Sequence, residues 1–476
     1  MEGKPFIKLF QSIKGYFMYD VNKNEIVSIS KHTYELLDIL VRSNNVFNSN
    51  VSAIVADEEI RQLVEAGYLS DKRPQKIEHE LTPYLQDYLE RRVESLTLQV
   101  TQACNFKCRY CGYAGEGYLD RKHNNLSMSV ETARKAIDFY KKVNIDLDSA
   151  SIYFYGGEPL FEIELIKEVV KYAKEEMPEK SWIFIMSTNL SLLTDAILEF
   201  LVKNNITIIV SLDGPEEVQN RFRRFASNGK GTFESVYKKM LKIYNEYPEY
   251  YLKYVKVNAV VDRETPINEI QDFFATEPLN KIDVNYVPLD TEKSNLHYNP
   301  NPEFISEYYE NEFIRRFNEI VSSKEKESKE SLLRNQLIFA SISDYEDFCK
   351  QLSKKTEIDI FHHSGQCIPG QYKMFVNVSG DIVTCEKASD KSDMLRFGNI
   401  RDGIDFTKAS NILNIGKITE KECKNCWAIR FCSTCALMAD NYDSFSKELK
   451  LKKCDGERKR VESLLCDYSL LHKYIN

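Results

Sequence analysis

The chain has 476 residues, 43% apolar and 12% aromatic, with a formal net charge of -8. That length implies several hydrophobic cores, and the composition excludes a disordered chain. The acidic balance excludes general electrostatic binding to nucleic acid, which needs a basic surface to displace phosphate counterions.

The N-terminal stretch "MEGKPFIKLFQSIKGYF" lacks the continuous apolar core of a signal peptide. No apolar run approaches the roughly 20 residues that span a bilayer. A cytoplasmic location without membrane partners is expected.

Residues 1–75 read as a separate unit. "GYFMYDV" and "EIVSIS" are strand-like runs joined by "NKN", a hairpin signal. Ser30 can cap a following helix with Tyr34, Leu37 and Leu40 on one face, and a later helix should end at Gly67. A hairpin followed by short helices suggests a winged-helix-like arrangement, with a plain helical cap as the alternative. Residues 76–94 are polar, follow Pro74 and contain Pro83, and read as a linker with some helix.

From 95 to 300, strand-like runs alternate with amphipathic helices. The strands are "SLTLQV", "SIYFYG", "WIFIMST", "ITIIVSL", "VKVNAVV" and "VNYVPL", separated by stretches such as "SVETARKAIDFYKKV". Six strand–helix repeats predict an α/β fold with a parallel sheet. The count falls short of the eight that close a full barrel, so a partial (β/α)6 TIM barrel is expected, with its chemistry in the loops after the strands. Residues 301–350 read as a charged helical bridge, in which "SSKEKESKES" is a solvated face. From 351 to 476 the chain turns cysteine-rich and irregular, as expected of a small region folded around metal.

The twelve cysteines come in tight groups, which favours metal or cluster ligation over disulfides in a reducing compartment. "TQACNFKCRYCGY" places Cys104, Cys108 and Cys111 within eight residues of each other, directly after the first long strand. This spacing is too compact for an ordinary four-ligand zinc site, which favours separated pairs. Three clustered thiolates suit a [4Fe–4S] cluster with one iron left open.

The pattern C-x3-C-x-aromatic-C, with Tyr110 at the aromatic position, resembles the signature of the radical S-adenosylmethionine (SAM) superfamily. "YGGEP", Tyr155 to Pro159, resembles that family's GGEP element. The resemblance implies that Gly156, Gly157, Glu158 and Pro159 meet the SAM amino group. "STN", Ser187 to Asn189, and "SLDGP", with Ser211 and Asp213, stand where the family contacts the ribose and the methionine carboxylate. Alone, GGEP or DGP is a weak turn signal; four signals in barrel order are specific together. The implied chemistry is one-electron cleavage of SAM to methionine and a 5'-deoxyadenosyl radical, which takes hydrogen from an unactivated C–H bond.

Cys367, "GDIVTC" ending at Cys385, "CKNCWAIRFCSTC" and Cys454 resemble a SPASM domain, which holds two auxiliary [4Fe–4S] clusters. The resemblance assigns Cys423, Cys426, Cys432 and Cys454 to an outer cluster and Cys367, Cys385 and Cys435 to an inner one. Three clusters in all are therefore expected. Cys432 and Cys435 are separated by two residues where the family usually has three, and the gap to Cys454 is one residue longer. The inner cluster lacks an obvious fourth ligand: Cys349, His362, His363 or a substrate thiolate remain open, both histidines reading as surface residues. Cys466 reads as an inert buried thiol. Glu386 stands where SPASM sulfatase maturases place a general base.

The N-terminal unit resembles the PqqD-like leader-recognition element of enzymes that mature ribosomal peptides. In that element a precursor leader adds as an extra strand. The whole chain resembles thioether-forming peptide maturases, the ranthipeptide and sactipeptide synthases. The expected function is abstraction of a hydrogen from a precursor residue and a Cys sulfur-to-carbon cross-link, with an external reductant such as flavodoxin or ferredoxin. Alternatives are a formylglycine-generating sulfatase maturase, a carbon–carbon cross-linking enzyme and a non-enzymatic Fe–S regulator.

Overall fold

The computed structural model describes residues 3–42, 57–112, 123–262, 264–289, 339–355, 359–363 and 365–471. Most of the proposed 301–350 bridge, including its charge run, lies outside the described residues.

The N-terminal unit has three strands, not two: β1 (Ile7–Ser12), β2 (Gly15–Asp20) and β3 (Glu25–Ile29), paired antiparallel in that order. β1 escapes a reading by period because "IKLFQS" mixes polar and apolar positions on both faces. Side chains alternate across the sheet. Met18, with Ile7 and Ile29, packs on the helices Lys31–Arg42 and Glu58–Glu65 through Leu37, Leu40 and Leu63. Phe17 and Tyr19 face the other way, into a core shared with Phe348, Phe431 and Leu465 from the C-terminal region. Ser30 Oγ accepts the Thr33 N–H at 3.1 Å, as a cap should, and Gly67 has φ +83°. The turn before β3 also joins the two regions. Asn24 Nδ2 donates to the carbonyls of Gln351, Leu352 and Lys354 at 2.7, 3.1 and 3.0 Å. These close the C-terminus of the helix Phe339–Leu352.

The polar stretch after residue 75 is anchored rather than loose. It forms β4 (Lys76–Ile77) and a helix, Leu85–Arg91. The six strand runs of the central region all form: β5 (Ser95–Thr101), β6 (Ser149–Gly156), β7 (Ser181–Thr188), β8 (Thr207–Ser211), β9 (Val255–Val261) and β10 (Val284–Pro288). Each pairs parallel with the next. β5 is buried along nearly all its length, as a parallel strand covered on both faces must be.

β11 (Ile360–Phe361) pairs parallel with β4. β12 (Met374–Val376) adds parallel to β5, and β13 (Asp381–Val383), β14 (Arg396–Asn399) and β15 (Gly403–Ile404) follow antiparallel. The cysteine-rich region thus extends the central sheet to ten strands, with β10 and β15 at its edges. It is also less irregular than its sequence suggests, because Cys454–Leu471 is one helix of 18 residues. Among the described residues no helix is long and apolar enough to cross a membrane.

Candidate active site

Four successive parallel strands deliver the expected SAM-site segments to one end of the sheet. The cysteine loop follows β5, the Gly-Gly-Glu-Pro turn ends β6, Ser187 and Asn189 flank the end of β7, and Ser211 ends β8. Strand direction alone brings them together, because the C-terminal ends of parallel strands lie on one side.

The cysteine loop is clamped by its neighbours. Gly157 N–H donates to Thr101 O at 2.9 Å and Glu158 N–H to Ala103 O at 2.8 Å. Gly156 has φ +143°, and a Cβ there would lie 2.0 Å from Thr101 O. A Cβ on Gly157 would lie 2.1 Å from Ala103 O. These glycines are therefore required by the loop backbone itself. On the other side, Lys107 N–H donates to Arg224 O at 2.8 Å, Arg109 N–H to Phe222 O at 3.0 Å and Ala226 N–H to Asn105 O at 2.9 Å. Buried Phe106 meets Phe225 edge-on at 5.0 Å.

Glu158 is fully buried. One carboxylate oxygen accepts from Leu160 N–H at 3.0 Å and Thr188 Oγ1 at 2.6 Å, the other from Asn189 N–H at 2.7 Å. Burial raises its pKa to about 7 despite those donors. It ties β6 to β7 and so places Asn189. The Asn189 amide donates to Asn105 Oδ1 at 2.9 Å and lies 3.9 Å from Cys104 Sγ. Cys104 Sγ also accepts from Phe106 N–H at 3.4 Å. Pro159 opens the short helix after Glu158, and Ser187 Oγ hydrogen-bonds Tyr153 OH.

Asp213 anchors a buried ion pair that sequence reasoning missed. Arg223 donates to it twice, Nε to Oδ2 at 2.9 Å and Nη2 to Oδ1 at 3.0 Å. Val260 N–H adds a third bond at 2.9 Å, and Tyr110 OH a fourth. The guanidinium also stands 5.3 Å from the Tyr110 ring centre. The signature aromatic is thus tied to the loop after β8 through Asp213, which a fork-shaped pair with Arg223 holds in place. Burial pushes the thiols of Cys104 (to about 12) and Cys108 up, while the Arg223 charge pulls the other way on both. His123 was also missed: its Nδ1 lies 3.1 Å from Gln102 O and its Nε2 4.0 Å from Cys111 Sγ.

In the second group, Cys435 acts electrostatically on both Cys367 and Cys385, and Glu386 acts on the same two thiols. Cys367 is exposed. Glu386 pairs with Lys373 at 3.1 Å, and Lys373 lies 4.8 Å from the Tyr153 ring centre. This chain of contacts continues from Tyr153 to Ser187 near the C-terminal end of β7. Cys423 acts on Cys426 and Cys454, Cys423 Sγ lies 3.2 Å from Thr419 Oγ1, and Cys432 Sγ lies 3.1 Å from Thr434 Oγ1. Cys349 sits on the helix 339–352 and lines a cleft of about 430 Å³ with Asn24, Glu25, Ile26 and Tyr468 of other segments. Cys466 is only half-buried, its thiol 3.7 Å from Gln11 O.

The two histidines are not surface residues. His362 is 7% and His363 1% exposed, because the segment runs beneath the loop carrying Gly416. His362 Nε2 accepts the Gly416 N–H at 2.8 Å and Nδ1 lies 3.0 Å from His363 O. Burial lowers the His362 pKa to about 3 and lowers that of His363 as well. Among the described residues neither ring nitrogen of His363 has a hydrogen-bond partner.

The residues fit the implied clusters by donor chemistry. Three thiols follow one strand, an amide and a backbone N–H point at Cys104, and the charge of the buried Arg223 guanidinium acts on Cys108. No three His, Cys, Asp or Glu side chains among the described residues converge as a single metal ion would require. A four-iron cluster is wider than one ion and does not ask for that convergence.

Residues 98–276 match the family model of the Radical SAM superfamily. The chain is 28% identical over 295 residues to the radical SAM cyclopropyl synthase TigE of Paramaledivibacter caminithermalis, covering 58% of this chain and 59% of that protein. It is 31% identical over 139 residues to the serine-type anaerobic sulfatase-maturating enzyme of Bacteroides thetaiotaomicron, covering 29% of this chain and 33% of that protein. The matches thus span between a third and three fifths of these relatives' lengths. Native anSMEcpe with bound AdoMet shares the fold over 80% of this chain and 99% of that one, with a TM-score of 0.57 at 19% identity.

Proposed function

Residues 98–276 form a radical SAM domain, and from that premise we propose that the chain is a radical SAM peptide maturase that installs a Cys sulfur-to-carbon thioether. The single observation that carries the finer reading is the grouping of Cys367, Cys385 and Cys435 beside Glu386, with Cys367 exposed. When bound, the [4Fe–4S] cluster and SAM supply a carbon-centred radical that removes a hydrogen atom from the peptide. Cys104, Cys108 and Cys111 would hold that cluster, and Arg223, Asp213 and Tyr110 fix the loop that carries them. Glu158 and Asn189 set the floor of the SAM site. Cys367, Cys385 and Cys435 would hold the inner auxiliary cluster as three ligands, and a substrate thiolate would supply the fourth. Glu386, paired with Lys373 and acting on both Cys367 and Cys385, is the base of this reading.

The leader reading rests on β3, which pairs only with β2 among the described residues. Its Glu25 and Ile26 border the cleft that Cys349 lines. An open strand edge beside a cleft suits a peptide that adds as a strand and lodges side chains alongside.

A second reading has its own observation: the relative TigE is a cyclopropyl synthase, which favours a carbon–carbon bond. One experiment separates the two. Reconstituted enzyme, SAM, reductant and a cysteine-bearing precursor should give a product lighter by two hydrogens with one fewer alkylatable thiol. The same mass loss with every thiol still free would support the carbon–carbon bond and exclude the thioether.

A further inference from the structure

Lys450 occupies a place where a lysine is rarely found. It is 1% exposed, at the end of the helix Lys447–Leu451. Its Nζ donates to Thr434 Oγ1 at 3.2 Å, and among the described residues no carboxylate forms an ion pair with it. Burying an ammonium with one hydroxyl as its partner is strongly unfavourable unless a negative charge lies close by.

The surroundings narrow what that charge is. The same Thr434 hydroxyl lies 3.1 Å from Cys432 Sγ, and the Cys454 thiol donates to the Lys450 carbonyl at 3.9 Å. The Lys450 charge acts on both of these thiols and on His362 and His363. Both histidines are buried and neutral, so they supply no counter-charge. Glu457 is engaged by Ser433 and Arg460. Arg458 also reaches these thiols, its side chain hydrogen-bonding Cys426, but unlike Lys450 it is partly exposed and has a carboxylate partner in Asp455.

A [4Fe–4S] cluster held by four thiolates is an anion. We propose that Lys450 is the internal counter-charge of the outer auxiliary cluster, a positioning residue that orients Cys432 through Thr434 and raises the cluster's reduction potential. The proposal rests on the assignment of Cys423, Cys426, Cys432 and Cys454 to that cluster. A fixed positive charge favours the more negative, reduced state, so its removal must lower the potential.

The test uses the full chain, reconstituted anaerobically, as wild type, Lys450→Met and Lys450→Arg. Iron is counted first, and about twelve per chain in the wild type means three clusters. A count of about four would overturn the cluster assignment itself, and Lys450 with it. With about twelve present, an electron paramagnetic resonance potential titration reads each cluster, and added SAM marks the SAM-binding one. One auxiliary signal should shift to lower potential in Lys450→Met and stay near wild type in Lys450→Arg. Loss of about four irons in Lys450→Met alone would also support the proposal. Unchanged potentials in Lys450→Met, or equal loss in both variants, would overturn it while leaving the cluster assignment standing.

Discussion

Replacing Arg223 with Met tests the frame that holds the cysteine loop. Asp213 is fully buried and Arg223 nearly so, with side-chain exposures of 0% and 8%. The pair meets through two bonds of 2.9 and 3.0 Å. Among the described residues, removing the guanidinium leaves the Asp213 carboxylate with only the Val260 N–H and the Tyr110 hydroxyl as donors. Breaking a buried pair from one side typically costs about 3–5 kcal/mol, because the remaining charge stays desolvated. That is a large part of the stability of a single domain, typically about 5–15 kcal/mol. The assay is anaerobic urea unfolding of apo-protein kept reduced, for Arg223→Met and for the double variant Arg223→Met/Asp213→Asn. The single variant should lose stability in that range, and the double should recover much of it by removing the stranded charge. SAM-cluster iron should fall in the single variant. A loss below about 1 kcal/mol, or a double variant no better than the single, would refute the reasoning.

Other substitutions probe other joints. Gly157→Ala puts a Cβ against Ala103 O, a backbone atom with no rotamer to escape into, and should cost about 1–3 kcal/mol and SAM-cluster iron. Gly456→Ala has open space in the helix 454–471, so urea unfolding should show a change within about 1 kcal/mol, in the stabilising direction. Asn24→Ala removes three contacts at the end of the helix 339–352 and should cost about 1–3 kcal/mol, with faster hydrogen exchange over residues 345–352. Acid should weaken the fold through His362, whose folded pKa of about 3 lies below the unfolded value of 6.5. The native state then binds fewer protons below pH 6.5, so this contribution is complete above that pH and is lost as pH falls toward 3. At pH 5 the loss is about 2 kcal/mol. His362→Gln should flatten that limb of the stability curve; an unchanged limb would show that His362 takes up no protons on unfolding there.

The sequence carried the central sheet and the cysteine groups well, for different reasons. β5 is buried along nearly its whole length and reads as an apolar run, whereas β6 to β9 bury alternate residues and β10, at the sheet edge, buries two of five, so these are legible by their period of two. The cysteines stand at short spacings, which survive in sequence as well as in space. What could not be read was long-range. Arg223 follows Asp213 by ten residues in a stretch of arginines, with no pattern marking it as the partner. Lys373 and Tyr153 meet across strands β12, β5 and β6, which nothing in their local sequence announces. His362 and His363 look exposed because histidines often are, and only the loop at Gly416 buries them. Asn24 was legible as a turn residue, while the helix end it closes lies more than 300 residues away.

The central claim is that Cys104, Cys108 and Cys111 hold a cluster that cleaves SAM. Anaerobic, reconstituted protein incubated with SAM and dithionite should form 5'-deoxyadenosine above the enzyme-free background, and Cys104→Ala should abolish it. No 5'-deoxyadenosine from wild-type protein that carries its iron, or equal amounts from the variant, would contradict the account.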